Sequence, residues 1–327
     1  MRFKVDYNLS RMDILTPSLP FIVWLQSFPF LKGPMLVFSW FGSTYLYLFA
    51  LPVLYWCVNR RIGLDVGFLV LANAIVNNLI KVLFALPRPY WISTSVHQLA
   101  HESGFGLPSG HAQGAILFWL FLALHVPAKR RPLAIAVAIF MAALIGLSRI
   151  YLAVHFPADV IVGFAIGLLV LGIYLRCEKN FRAWFFLQHV ARKIVLAALC
   201  VLAALICFAS FIHLHHTQKF PPFDAEALSW ISIISYTGAI FGLVIGMANR
   251  QPAVPIPQNA ATLILRIIAG LTVLIALWFG LAKFTAGNEI LLTFCLRFFR
   301  YAIVSWWIVD GAPRMFAMWE KRLIANA

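Results

Sequence analysis

Long apolar stretches separated by short polar connections repeat along most of this chain. Nine stretches each hold about 20 mostly apolar residues, the length that an α-helix needs to cross a bilayer. These predicted spans lie near residues 34–57, 63–86, 109–127, 132–152, 157–175, 193–213, 227–248, 261–283 and 289–309. The pattern predicts an all-α protein that is a polytopic bundle of membrane helices.

The N-terminal stretch 12–31 is also apolar, but three prolines interrupt it. We interpret it as a helix that lies at the outer membrane interface, with Trp24 as an anchor. The basic residues Arg2, Lys4 and Arg11 favour instead a tenth span with a cytoplasmic N-terminus. Both alternatives stay open at this point.

The connections fall into two classes when they are taken alternately along the chain. One class is rich in basic residues: Arg60 and Arg61; Lys129, Arg130 and Arg131; Arg176, Lys179, Arg182, Arg192 and Lys193; Arg250; Arg314, Lys321 and Arg322. The positive-inside rule places this class in the cytoplasm. The other connections, near 87–108, 153–156, 214–226 and 284–288, are then on the outer side.

Composition agrees with a lipid environment. Of 327 residues, 62% are hydrophobic and only 11% are charged, whereas a soluble domain typically carries about a quarter charged residues. The net charge of +15 could indicate nucleic acid in a soluble protein, but here the basic residues flank membrane helices and no polar domain exists. We therefore expect the lipid bilayer, and no nucleic acid, as a partner.

Two polar clusters occur at the predicted outer ends of spans. Lys81 and Arg88 lie seven residues apart at the end of one span, and a cation within a membrane helix is a candidate for function. Ser109, Gly110 and His111 open the next span, where exposed N–H groups of a helix start can bind an anion. Each cluster also has an ordinary interpretation, as interfacial side chains in the first case and a helix cap in the second.

A third cluster joins two later spans on the same side. It holds Arg149, His155 and Asp159, and a carboxylate four residues after a histidine can fix the tautomer of the imidazole. Together the three clusters supply three cations, helix-start N–H groups, two imidazoles and one carboxylate. This set suits the binding and transfer of a phosphoryl group.

The three clusters resemble the motifs of the type 2 phosphatidic acid phosphatase (PAP2) family. Residues 81–89 match K-x6-R-P, residues 108–111 match P-S-G-H, and residues 148–159 match S-R-x5-H-x3-D. The resemblance covers about residues 30–175. It implies a metal-independent phosphoric-ester or diphosphate hydrolase without a cofactor.

The resemblance also implies roles for the motif residues. His155 would attack phosphorus to give a phosphohistidine, Asp159 would orient it, and His111 would protonate the leaving oxygen. The residues that would hold the phosphoryl oxygens are Lys81, Arg88, Ser109, Gly110 and Arg149.

These observations divide the chain into three parts. Residues 1–32 form the interfacial helix or extra span, residues 33–180 form a PAP2-like catalytic core, and residues 181–327 form an extension of about four membrane helices with unknown role. Glycines repeated every four residues in the spans permit close helix packing, within the chain or in a homo-oligomer. The absence of an N-terminal presequence and the compact loops favour a bacterial inner membrane, with the site facing the periplasm or exterior.

The expected substrate is a lipid phosphate or a polyprenyl (di)phosphate, since the site opens beside lipid. A sphingoid or sugar phosphate is an alternative substrate, and a lipid transporter or flippase-like protein built on a PAP2 core is an alternative function.

Two signals lie outside the motifs. His213, His215 and His216 do not have the spacing of a recognised metal site, so we predict no metal there. Arg297 and Arg300 lie within the last span and are expected to pair inside the bundle, or alternatively to contact a lipid headgroup.

Overall fold

All regular elements in the part of the chain that the structure describes are helices. The computed structural model describes residues 15–214, 230–248, 256–257, 259–285 and 290–325. The twelve helices used below are α1 (Leu19–Gln26), α2 (Lys32–Trp40), α3 (Thr44–Val53), α4 (Arg60–Phe84), α5 (Gly110–Leu124), α6 (Arg131–Tyr151), α7 (Pro157–Leu187), α8 (Val190–Leu214), α9 (Ile231–Ala248), α10 (Ala260–Ala282), α11 (Ile290–Trp306) and α12 (Ala312–Ala325). The prediction of an all-α architecture is confirmed.

Seven helical regions among the described residues are long and apolar enough to cross a membrane. They are Arg60–Ile92, Ala128–Tyr151, Pro157–Leu187, Val190–Leu214, Ile231–Ala248, Ala260–Ala282 and Ile290–Glu320. Two shorter apolar helices, Thr44–Val58 and Gly110–Leu124, overlap the remaining two predicted spans, 34–57 and 109–127. The chain is therefore an integral membrane protein.

The N-terminal region differs from the prediction of one continuous span over 34–57. Helix α2 ends at Trp40 and α3 begins at Thr44, so the span is interrupted. Gly42 lies in the interruption, and a Cβ atom there would come within 2.7 Å of Ile145 Cγ2 and 3.2 Å of the His111 ring. Close packing against α5 and α6, which the local sequence does not reveal, accompanies the break.

A second bend precedes α2. The segments Thr16–Gln26 and Pro29–Trp40 meet at an angle of 87°. Phe28 has φ −107° and ψ 80°, outside the helical region, because the residue before a proline is disfavoured from helical geometry. The segment from Thr16 to Trp40 is thus a bent pair of helices, while residues 1–14 lie outside the described residues.

Chain contacts divide the protein into two compact units. The motif unit comprises Met1–Leu46, Val76–Ile173 and Ile206–Ser229. The extension unit comprises Tyr47–Ile75, Tyr174–Leu205 and Trp230–Ala327. The predicted parts, with boundaries at residues 32 and 180, are continuous in sequence, whereas each unit combines several separate segments. The predicted boundaries stay a prediction.

The core of the motif unit joins the N-terminal helices to the end of α6. Ile22 and Met35 are buried in one apolar cluster with Ile150 and Phe156. The Gln26 amide donates to the carbonyl oxygen of Tyr151 at 2.9 Å and to that of His97 at 2.7 Å. The N-terminal helices therefore support the third motif.

In the extension unit, α9 packs closely on α11. Cβ atoms at Gly238 and Gly242 would collide with the backbone of Phe298 and Ala302, so only glycine permits this approach. The predicted use of these glycines in packing within the chain is confirmed.

The two arginines of α11 contact hydroxyl and aromatic groups. Arg297 Nε donates to the Ser235 hydroxyl at 2.8 Å. The Arg300 guanidinium lies 5.1 Å from the ring centre of Trp278 and 5.0 Å from that of Tyr301. Within the described residues, the two arginines are therefore held inside the bundle by a hydroxyl group and by cation–π contacts.

Candidate active site

Lys81 and Arg88 are positioned by the end of α4. Lys81 is in the last turn, and its ammonium donates to the carbonyl oxygens of Phe105 and Gly106. The chain then leaves the helix, because Pro87 and Pro89 cannot donate helical hydrogen bonds and restrict the residues before them.

Arg88 is fully buried and connects two segments of the motif unit. Its Nε and Nη2 atoms donate to the carbonyl oxygens of Gly104 and Ser103, at 2.7 and 2.8 Å. Its Nη1 atom donates to the carbonyl oxygen of Val154 at 2.8 Å and lies 3.5 Å from His155 Nε2. The guanidinium thus brings the loop after α4 next to the third motif.

Helix α5 begins within the second motif. The Ser109 hydroxyl caps the helix by accepting from the N–H of Ala112 at 3.4 Å. The N–H of Ser109 donates to the carbonyl oxygen of Asp159 at 2.9 Å, which ties the start of α5 to the start of α7. The Asn77 amide donates to Pro108 O and Gln113 Oε1 and fixes this turn from α4.

The third motif lies at the junction of α6 and α7. His155 precedes the first helical residue, Pro157, so its side chain and that of Asp159 do not lie along one helix face. Instead the Asp159 carboxylate reaches back: Oδ2 lies 3.3 Å from His155 Nδ1 and accepts from the N–H of Phe156 at 2.9 Å. The side chains of His155 and Asp159 are both buried.

The two nitrogens of His155 face opposite charges. Nδ1 faces the Asp159 carboxylate, and Nε2 faces the Arg88 guanidinium. Burial lowers the pKa of His155 well below its usual value, and the cations of Arg88 and Lys81 lower it further. A neutral imidazole with Nδ1 protonated toward Asp159 leaves the Nε2 lone pair free to act as a nucleophile.

Glu102 is a further member of the site and lies outside all three sequence motifs. Its carboxylate accepts from Arg149 Nη2 and lies 3.9 Å from His111 Nδ1. Burial alone would raise the pKa of Glu102, but the positive charges of Arg149, His111 and Arg88 lower it to about 2. The sequence did contain a signal, since Glu102 is the one carboxylate residue between Asp65 and Asp159.

Arg149 has a second partner that no motif contains. Its Nη1 atom donates to the Ser39 hydroxyl of α2, and the arginine is 1% exposed. A serine in an apolar stretch gives no sign of this role until the bent N-terminal helices are in place.

The predicted site residues converge in the structure. The loop from Glu102 to Gly106 contacts Lys81, Arg88 and Arg149, and Glu102 also faces His111. Arg88 also contacts His155, which in turn contacts Asp159. The carbonyl oxygen of Asp159 accepts from the N–H of Ser109, and Gly110 lies beside the side chain of Asn77. The roles that we assigned to these residues stay predictions.

Of the histidine cluster near the end of α8, only His213 lies within the described residues. Among the described residues, no group of three or more His, Cys, Asp or Glu side chains is arranged to hold a metal ion.

Two family models match this chain. The model of the PAP2 superfamily matches residues 62–183, which include all three motifs. The model described as "PAP2 superfamily phosphatase, transmembrane extension" matches residues 234–321.

Relatives with described activities extend the comparison. Phosphatidylglycerophosphatase B of Bacillus subtilis is 42% identical over 78 residues, which are 22% of this chain and 38% of that protein. A probable sphingosine-1-phosphate phosphatase of Dictyostelium discoideum is 28% identical over 167 residues, 46% of this chain and 40% of that protein. The chain thus spans well under half the length of both relatives.

Dolichyldiphosphatase of Saccharomyces cerevisiae matches over more of its length. It is 30% identical over 191 residues, which are 55% of this chain and 75% of that protein. With the three motifs gathered in one buried cluster and two family models covering the motifs and the later helices, the chain belongs to the PAP2 superfamily.

Proposed function

We propose that this protein is a membrane phosphatase that hydrolyses a lipid phosphate or polyprenyl diphosphate through a phosphohistidine intermediate at the outer face of the membrane. The observation that carries the proposal is the position of His155 between Asp159 at Nδ1 and Arg88 at Nε2. A neutral imidazole with its free lone pair beside a guanidinium is suited to attack a phosphoryl group that the guanidinium holds.

The first step forms the phosphoenzyme. His155 Nε2 attacks phosphorus, the phosphorus–oxygen bond to the leaving group breaks, and His111 donates a proton to the leaving oxygen. The Nδ1 proton of His155 stays hydrogen-bonded to Asp159, which stabilises the positive charge that develops on the ring. Lys81, Arg88 and Arg149, with the start of α5, hold the phosphoryl oxygens.

The second step releases phosphate. Water attacks phosphorus, His111 accepts its proton, and the bond between phosphorus and Nε2 breaks. His155 returns to its neutral state with the lone pair on Nε2, so the cycle closes with one water consumed.

Glu102 gives the site a built-in competitor for anions. Because its carboxylate binds Arg149, a phosphoryl group must displace or share this contact before Arg149 can bind it. We expect the loop that carries Glu102 to adjust when substrate binds.

The three relatives described above support an amphiphilic substrate, whereas a glucose-6-phosphatase of Homo sapiens, 31% identical over 144 residues, keeps a sugar phosphate as the alternative. The names of those three refer to dephosphorylation of phosphatidylglycerophosphate, sphingosine phosphate and dolichyl diphosphate, all of which have an apolar tail. The motifs lie at ends of membrane helices, so such a tail can stay in the bilayer while the phosphate reaches the site.

The test is release of inorganic phosphate by the purified full-length protein in detergent with EDTA. A panel of phosphatidic acid, phosphatidylglycerol phosphate, undecaprenyl diphosphate and sphingosine phosphate identifies the preferred substrate. His155→Ala should reduce release by about 10³-fold or more, since no other nucleophile replaces the imidazole.

His97→Ala is the matched control, because His97 is an exposed histidine of the loop before the second motif. Equal phosphate release by His155→Ala and His97→Ala would refute the mechanism. Lipid transport without phosphate release from any member of the panel would favour the transporter alternative.

A further inference from the structure

The extension unit contains a basic cavity that is separate from the motif residues. Its volume is about 820 Å³, and its lining includes Arg60 and Arg61 from the start of α4 and Arg182 from the end of α7. Lys193, in the first turn of α8, completes the set of cations. All four belong to connections that the positive-inside rule assigns to the cytoplasm.

Two of the cavity's arginines bind carboxylates of the same unit. Arg61 binds Glu178 at 3.1 Å and lies 3.7 Å from Asp65, and Arg182 binds Asp65. Arg60 donates to the Tyr55 hydroxyl at 3.2 Å. Arg61 and Arg182 are thus bound to the carboxylates of Asp65 and Glu178.

Lys193 is a buried cation of this cavity whose contacts are with aromatic rings. Its side chain lines the cavity, and the residue is only 5% exposed. Its ammonium lies 5.1 Å from the ring centre of Phe185 and 5.7 Å from that of Phe186, and within the described residues it makes no ion pair. Buried charges in proteins are generally paired, so this ammonium is suited to an anionic ligand.

The remaining lining indicates what kind of anion fits. Leu64, Phe186 and Met247 add apolar surface beside the cations. A small hydrated anion gains nothing from this surface, whereas the headgroup of a phospholipid brings a phosphate together with the first carbons of its chains.

We propose that this cavity binds the phosphate group of an anionic phospholipid, with Lys193 as its principal contact. The lipid phosphate would contact the ammonium, and the arginines would contribute a positive field. This ligand is a phosphodiester and is distinct from the substrate of the motif residues.

The test is thermal unfolding of the delipidated full-length protein in detergent, titrated with phosphatidylglycerol. Vanadate, a phosphate analogue, is added to all samples to fill the motif site. Phosphatidylcholine, which has no net charge, serves as the comparison, and inorganic phosphate is tested in a parallel arm. Phosphatidylglycerol should raise the midpoint of the wild type more than phosphatidylcholine does.

Lys193→Gln should weaken the apparent affinity for phosphatidylglycerol by about tenfold or more, the effect of losing one charge-assisted contact. Arg192→Gln is the matched control, because Arg192 is the exposed neighbour of Lys193 and does not line the cavity. Lys193→Arg should keep most of the affinity.

Val190→Trp provides a second route, because Val190 lines the cavity and the larger ring would fill it without removing a charge. If this variant also loses the response to phosphatidylglycerol, the cavity is the binding site even where Lys193→Gln does not fold.

Two outcomes would change the proposal. A response to inorganic phosphate that depends on Lys193, with no response to the lipid, would mean that the ligand is a soluble anion. Equal phosphatidylglycerol affinity in Lys193→Gln and Arg192→Gln, with Val190→Trp unchanged, would overturn the proposal.

Discussion

Asp159 holds the third motif together through a single carboxylate oxygen. Oδ2 accepts from the Phe156 N–H and faces His155 Nδ1, so one atom both caps the start of α7 and orients the proposed nucleophile. The carbonyl oxygen of the same residue accepts from Ser109. Substitution by asparagine can therefore remove the charge of Asp159 while keeping an oxygen that accepts hydrogen bonds.

We predict that Asp159→Asn lowers kcat by about 10²- to 10⁴-fold with a small change in KM, because the amide cannot stabilise an imidazolium and favours the wrong tautomer. Phosphate release under saturating substrate gives both constants. A kcat within threefold of the wild type would show that the charge of Asp159 has no part in the chemistry.

Loss of the Glu102 charge should increase the affinity of the site for anions, whereas loss of a residue that binds the anion would decrease it. Glu102→Gln removes the charge that competes for Arg149, so we predict that vanadate inhibits this variant roughly 2- to 5-fold more tightly, the effect typical of a partly exposed charge pair.

The pKa of Glu102 fixes the pH range of this effect. Because the pKa is lowered to about 2, the carboxylate is ionised from pH 5 to 8, and the effect should be constant over that interval. The ion pair with Arg149 stabilises the fold above the unfolded pKa of glutamate and is lost as pH falls toward 2. Weaker vanadate inhibition in the variant would mean that Glu102 assists binding instead.

Individual site residues could be predicted from the sequence where they belong to a motif with fixed spacing. Lys81, His111 and Asp159 could be selected because charges and imidazoles are rare in apolar stretches. Glu102 and Ser39 could not, since each acts through Arg149 across a large sequence separation. Their roles depend on how loops and helices meet.

At the scale of helices, the geometry of the site depends on close packing between α5 and α7. A Cβ atom at Gly163 would come within 2.7 Å of the carbonyl oxygen of Ser109 and 3.3 Å of Ala112 Cβ. Glycine at this position therefore allows α7 to approach the helix start that carries His111.

We predict that Gly163→Ala lowers kcat/KM by roughly 10- to 100-fold, because it displaces the start of α5, and a shift of about 1 Å can reduce rates by this amount. Gly172→Ala, on the same helix with no atom within 4 Å of the added methyl, is the control and should keep full activity. Equal activity of the two variants would contradict the packing argument.

The helices themselves were largely predictable, because a spanning helix has a simple apolar signature. The interruption between α2 and α3 was not, because it accompanies the contact of Gly42 with Ile145 and His111. The end of α7 at Leu187 also extends beyond the predicted span, since its polar last turns lie outside any apolar window.

At the scale of the whole molecule, hydrolysis at the outer face requires the motif residues to face the outside. The alternation of basic connections along the sequence, which includes the basic residues before α6, supports this orientation. Ser95 and Lys129 are both exposed in the motif unit and lie in connections of opposite class.

We predict that Ser95→Cys reacts with a membrane-impermeant thiol reagent in intact cells, whereas Lys129→Cys reacts only after permeabilisation. Both variants need a background without the five native cysteines. The reverse labelling pattern would place the site in the cytoplasm and exclude hydrolysis at the outer face.

The most direct test of the central claim is isolation of the phosphoenzyme. The full-length protein is mixed with substrate carrying ³²P in its terminal phosphate, quenched in alkaline detergent, which preserves phosphohistidine, and digested to locate the label. We predict label on the peptide that contains His155, the same label in His97→Ala and none in His155→Ala. Label on another residue, or equal label in His155→Ala, would contradict this prediction.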